Sequence, residues 1–452
     1  MFRRLFEWFR GAPATPAKPG IEDLNRHAPL RDAVTEASSA PGTTASTLLC
    51  REALLGRDQR IAGYRFMLRE STRNRIRRSS RIVHHVYAEV LTGSLVQADV
   101  PRLLGHRSAV VELPDSFLAH DSVRRLPAGN TVLALERIAG EPLPDAAILL
   151  PQIESLRSAG YRIALHARTA GDIPAHLLPV LDLVITDSAG CDPEGVRTLF
   201  ASLQREQRAP GVLALNLDSL DDFHFFHALG AQWFHGPFIT RREEWTARAL
   251  DADVANARPL LEALRSDEDN PHIVTLLKRN AAIALRMLRY ANSAAGGLPR
   301  EVHSIEDALH LVGRKRLTRW VMMAVFSGST PSGRSHAAME SALVRARMME
   351  LLGEASGRDG ETLFLVGLLS LVDVVMQVEL RSALDALAVA DDIRAAVLQD
   401  DGPHARLLDL AIAWERGDTE AIGDLASACE LSTEDAAEAY MQALWWALDV
   451  NP

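Results

Sequence analysis

The chain has 452 residues, with 47% hydrophobic and 24% charged content and a mean hydropathy of −0.02, which excludes a disordered or fibrous protein. No apolar run approaches the roughly 20 residues that cross a bilayer, and three scattered cysteines (Cys50, Cys191, Cys429) exclude a disulfide scaffold and a thiolate zinc site. The net charge of −10 is uneven: residues 246–452 hold 20 basic and 31 acidic side chains while residues 51–245 hold 23 of each, so the C-terminal half cannot offer the clustered cations that nucleic acid requires.

Residues 1–10 pattern as a short amphipathic helix, with Phe2, Leu5, Phe6 and Phe9 on one side. A membrane-surface or partner contact and a frayed terminus both fit this segment. It lacks the apolar core of about 7–15 residues that a signal peptide carries, and a reducing cytoplasm is expected. Residues 1–45 read as a tail and linker, rich in Ala, Pro, Thr and Ser.

Residues 46–245 alternate strand-like and helix-like runs. Strands are predicted at Ser108–Leu113, Thr131–Leu135, Arg162–His166, Leu181–Thr186, Gly211–Leu217 and Trp233–Phe234, and helices at Ile148–Ala159, Pro193–Gln207 and Ser219–Leu229. Repeated strand–helix units imply a parallel sheet under helices, and their number favours a (β/α) barrel of TIM type, complete or incomplete. A charged connector near Arg241–Ala255 then leads into an all-α half, residues 246–452, with apolar residues at helical spacing from Ile273 to Leu288. Further helices are predicted at Ser304–Val312, Arg316–Phe326, His336–Ala355, Glu361–Val378, Arg381–Leu387, Asp391–Leu398, His404–Arg416, Thr419–Cys429 and Thr433–Leu448. Ser304 with Asp307, and Ser432 or Thr433 with Asp435, supply start signals.

Two stretches carry a resemblance. RIAGYRFMLR (residues 60–69) resembles the opening of EAL domains, the barrels that hydrolyse the bacterial messenger cyclic di-GMP. LRYANSA (288–294), followed by HSIEDALHLVG (303–313), is similar to HDOD domains, helical relatives of HD phosphohydrolases. FLVGLLSLVD (364–373), WERGD (414–418) and YMQALWWA (440–447) look like the C-terminal part of EAL–HDOD fusions. The resemblance runs from residue 46 to 452.

It implies a phosphodiesterase site of paired divalent cations held by carboxylates at the strand ends. Aligned on the family pattern, the signature Glu is replaced by Arg65 and an Asn by Glu112. Glu136 is kept. An Asp-Asp pair becomes His166 and Ala167. The Lys becomes Ile185, with Asp187 two residues on. A later Glu becomes Leu215, with Asp218 at the second acid. A Gln becomes His235, before a kept Gly236. The losses span several strands, so a degenerate, non-catalytic barrel with no bound metal or cofactor is expected, with structural roles for Glu136, Asp187 and Asp218.

Arg65, His166 and His235 remain as possible phosphate contacts. So does the basic run of Arg69, Arg73, Arg75, Arg77, Arg78 and Arg81; a solvated face and a docking surface are its other readings. The helical half has no His-Asp dipeptide. Asn292 and Ser293 close a helix. His224 and His227 have a metal-compatible spacing but no evident third ligand. The resulting expectation is a signalling protein that works by binding other proteins and does not catalyse. The alternatives are a cyclic di-GMP receptor without hydrolysis and a weakly active phosphodiesterase.

Overall fold

A computed structural model describes residues 49–68, 80–136, 145–206, 208–243, 245, 252–293, 296, 298, 300–328, 332–399, 402 and 404–450. The N-terminal segment, the linker and Arg69, Arg73, Arg75, Arg77 and Arg78 lie outside the described residues. Eight strands close into a barrel in chain order: β1 (Leu49–Leu55), β2 (Ile61–Leu68), β3 (Ser108–Pro114), β4 (Thr131–Glu136), β5 (Arg162–His166), β6 (Leu183–Asp187), β7 (Gly211–Leu215) and β8 (Trp233–Phe234). The barrel is closed, so the incomplete version left open by the sequence is set aside. β1 runs antiparallel to both neighbours, and the other adjacent pairs are parallel.

Strand side chains alternate between faces. Leu54, Val110, Val132, Ala134, Ala164, Ile185, Leu213 and Leu215 fill the lumen as one cluster. Their neighbours, such as Leu55, Val111, Leu133, Leu165 and Val184, pack outward in a second cluster. Burial on both faces explains the continuous apolar runs of the predicted strands. The barrel helices are α1 (Arg81–Gln97), α2 (Val100–Leu104), α3 (Ala146–Ser158), α4 (Pro193–Gln204) and α5 (Leu220–Leu229). Asp145, Asp192 and Ser219 cap α3, α4 and α5 by accepting from backbone N–H groups of the first turn.

The remaining helices are α6 (Ala252–Arg265), α7 (Asn270–Arg279), α8 (Ala281–Ala291), α9 (Ile305–Gly328), α10 (Gly333–Ala355), α11 (Gly360–Leu369), α12 (Val372–Met376), α13 (Leu380–Ala386), α14 (Asp391–Gln399), α15 (Ala405–Arg416), α16 (Thr419–Ala428) and α17 (Thr433–Val450). The predicted break between Val312 and Arg316 is a kink inside α9, where Gly313 takes φ +74°. The predicted single helix Glu361–Val378 is two, because Leu371 leaves helical geometry between α11 and α12. The helix starts read from the sequence are formed: Ser304 Oγ accepts from Asp307 N at 3.0 Å, and Ser432 and Asp435 exchange backbone bonds in a capping box. Trp320, Trp414, Phe326 and Phe364 anchor this core. No helix among the described residues is long and apolar enough to cross a membrane.

Candidate ligand site at the barrel mouth

The lumen register gathers most of the substituted family positions at one end of the barrel. In-register pairs run Glu52–Arg65 across β1–β2 and His166–Ile185 across β5–β6, with Asp187–Leu215 across β6–β7. Glu112 lies on the inward row of β3, Glu136 ends that of β4, and His235 follows β8. Arg65, Glu136, His166, Asp187, Leu215, His235 and Gly236 line one cavity of about 1240 Å³. Pockets of roughly 300–1,000 Å³ hold small-molecule ligands, so room is not limiting.

Arg65 is 3% exposed and is the hub. Its Nε and Nη2 donate to Glu112 Oε1 at 2.9 and 2.7 Å, and Nη1 donates to Glu52 Oε2 at 2.9 Å. Burial alone would lower its pKa, but the charges of Glu112 and Glu52 outweigh that and raise it above the ordinary guanidinium value. His166 Nε2 lies 3.1 Å from the same Glu112 oxygen, and His235 Nε2 lies 3.3 Å from Glu52 Oε2. Glu136 lies 3.7 Å from the buried His84.

Divalent cations, which the EAL resemblance implies, need several convergent oxygen ligands. The residues present do not fit them. Glu112 and Glu52 are turned onto a guanidinium, Ile185 and Leu215 fill lumen positions with apolar carbon, and Asp218 is exposed and outside the cavity lining. Among the described residues no three His, Cys, Asp or Glu side chains are grouped to hold a metal. That includes His224 and His227, whose rings instead pack on Phe223. Ala167 is buried in the outward cluster and does not reach the lumen.

Arg81 opens α1. In the helical half, Asn292 closes α8: its Nδ2 donates to Val302 O and its Oδ1 accepts from Val302 N, both at 2.8 Å, while Ser293 Oγ donates to Tyr290 O. Trp414 packs near Tyr440, Trp446 meets Phe364 edge-on, and Trp445 lies under Arg102.

Sequence reasoning missed Glu52, the in-register partner of Arg65. The signal for it was weak, because β1 was not recognised as a strand. Gly236 is required by geometry: its φ is +154°, and an added Cβ would overlap the Leu217 backbone. Gly236→Ala is therefore expected to cost about 2 kcal/mol or more through strain and crowding. A lowered midpoint in thermal unfolding checks this, and an unchanged midpoint would contradict the tight approach of the His235 loop.

The closed barrel followed by a helical bundle agrees with the domain order that the EAL–HDOD resemblance implies. The HDOD domain family matches residues 257–410, and with the EAL-like opening of the barrel it makes this chain an EAL–HDOD fusion. It belongs with the signalling proteins related to cyclic di-GMP phosphodiesterases. Over 422 residues it is 24% identical to the cyclic di-GMP phosphodiesterase CdgJ of Vibrio cholerae, covering 90% of this chain and 94% of that protein. Over 407 residues it is 22% identical to the uncharacterized protein YuxH of Bacillus subtilis, covering 88% and 97%. A solved standalone EAL protein of Vibrio cholerae in its c-di-GMP bound form matches 42% of this chain and 89% of its own, at 16% identity and TM-score 0.35. The chain spans 59% of the EAL enzyme Bd1971, at 16% identity and TM-score 0.32. The expectation that the chain is not an enzyme is corrected here: a relative matched along nearly its whole length carries the name of a phosphodiesterase.

Proposed function

We propose that this protein binds cyclic di-GMP at the barrel mouth and hydrolyses it weakly, with the helical half relaying the occupied state to a protein partner. The observation that carries the reading is the match to CdgJ, which extends through both halves of the chain. The mouth chemistry supports the ligand: Arg65, His166 and His235 face a cavity large enough for a dinucleotide, and a guanidinium is suited to paired hydrogen bonds with a phosphate. The same chemistry sets the expected turnover low. Glu112 and Glu52 are occupied by Arg65, and without their release few oxygen ligands remain to organise water and neutralise phosphate.

Calorimetric titration of the full chain with cyclic di-GMP tests the binding. A product assay with Mg²⁺ or Mn²⁺ tests the turnover. Micromolar binding with slow formation of the linear dinucleotide is expected. Absence of heat and of product above a metal-free control would overturn the reading.

A further inference from the structure

The barrel has one weakly closed seam, and the helical half covers it. β1 and β2 form a hairpin through Gly56–Arg60, so no crossover helix intervenes between them. β1 meets β8 through the single register pair Leu55–Phe234. Helix α10 crosses this region and holds both sides. Arg334 donates to Ile239 O at 3.3 Å and to Arg241 O at 2.5 Å, on the segment that follows β8. Ala337, one turn on, is buried in the barrel's outward core. Glu340 Oε1 accepts from Tyr64 Oη at 2.5 Å and Arg51 Nη2 at 2.9 Å on the hairpin, and Arg107 Nη1 lies 3.3 Å from its Oε2. Gly333 at the start of α10 abuts the β1–β2 turn so closely that an added Cβ would overlap the Asp58 carbonyl.

The same two strands carry the mouth. Arg51 and Tyr64 point outward to Glu340, and the next residues, Glu52 and Arg65, point inward and are paired in register. The hairpin therefore has one ion cluster on each face. The mouth cavity reaches both, since Glu52, Arg65, Glu340, Ser341 and Val344 all line it. A phosphate entering the mouth competes with Glu52 and Glu112 for Arg65. Any shift of Arg65 or Glu52 moves backbone to which Tyr64 and Arg51 are directly bonded.

We infer that Glu340 is a positioning residue for the mouth: docking of α10 sets the Glu52–Arg65 pair from the outside, so ligand binding and the seating of the helical half are coupled. This deepens the proposed function by naming the control of that site, and it rests on that reading only for the ligand's identity. Coupling of this kind is reciprocal, so a perturbation on either face must be felt on the other.

Hydrogen exchange on the full-length protein tests the ligand-free part. In Glu340→Gln, exchange should rise in β1 and β2, including the Glu52 and Arg65 amides. In Arg65→Met it should rise in α10. Tyr64→Phe, which removes the hydroxyl's two hydrogen bonds, to Glu340 and from Arg107, and no charge, is the milder variant if Glu340→Gln fails to fold. Increases confined to the mutated face would overturn the inference. In titration, Glu340→Gln should weaken cyclic di-GMP binding by about tenfold, within the usual range of coupling between distinct sites. Leu285→Ala, exposed on α8, should leave it unchanged. Unchanged affinity in Glu340→Gln, with binding intact in the unmutated chain, would also overturn the inference. If the unmutated chain binds no nucleotide, the proposed function falls and the exchange results alone decide the coupling.

Discussion

Arg65→Met is expected to destabilise the barrel by about 3–5 kcal/mol, the range for stranding one side of a buried ion cluster. The guanidinium makes three hydrogen bonds to two carboxylates, and Glu112 is 7% exposed. Removing it leaves Glu112 and Glu52 facing each other without their shared cation, with His166 and His235 beside them. In a domain of this size such a loss lowers the melting temperature by about 6–20 °C, at roughly 2–4 °C per kcal/mol. Adding Glu112→Met should recover most of the loss, because an apolar pair avoids the desolvation that the ions incur. Calorimetry of the three proteins checks this, and a single variant that melts with the parent would mean that the cluster is solvated. Arg65→Glu is not expected to raise turnover on its own, because Ile185 and Leu215 still occupy the lumen with carbon.

That cluster also shows what could be read from the chain. Arg65, His166, Ile185, Leu215 and His235 were singled out through the resemblance to the EAL family pattern, and the lumen register then places them at one end of the barrel. The two halves were legible because short apolar runs alternating with helical segments gave way to continuous helical periodicity after about residue 245. β1 was not legible. Its sequence, LCREALL, places Arg51 and Glu52 in mid-strand, and those charges are tolerable only beside Glu340 and Arg65. Arg51 and Glu340 are 289 residues apart, beyond the reach of any local pattern. α10 did hold a hint. It is apolar on all sides between its charges, the mark of a helix buried all round, and Arg334, Glu340, Arg345 and Glu350 are indeed all buried. What the sequence could not give was their partners. The inference of inactivity failed differently. It was drawn from family ligand positions replaced on several strands, and a relative matched over nearly its whole length is named for the activity.

Arg319→Ala should cost the helical half a further large amount, again about 3–5 kcal/mol. Arg319 on α9 is 5% exposed and bonds Glu350 of α10, with Glu361 of α11 at 3.6 Å. Its guanidinium also stacks 3.6 Å from the Phe364 ring centre, with Trp446 of α17 at 5.5 Å, so one side chain ties four helices. Arg347, at 2.6 Å from Glu350, is far more exposed, and Arg347→Ala should cost about 1 kcal/mol or less. The pH dependence separates ion pairing from packing. Burial raises the Glu361 pKa, and the nearby Arg319 opposes that rise. A carboxyl whose folded pKa is raised binds its proton more tightly when folded, so stability falls as pH climbs from the unfolded value, about 4.3, through the folded one. Without Arg319 the folded pKa rises further. The deficit of Arg319→Ala should therefore be small near pH 4 and grow to a plateau above neutrality, as measured by denaturant unfolding across that range. A deficit independent of pH would assign the loss to the Phe364 and Trp446 contacts alone. Glu350 and Glu340 lie ten residues apart on α10, about 15 Å along one rigid helix. Loosening its far end should therefore also weaken the hold of Glu340 on the barrel.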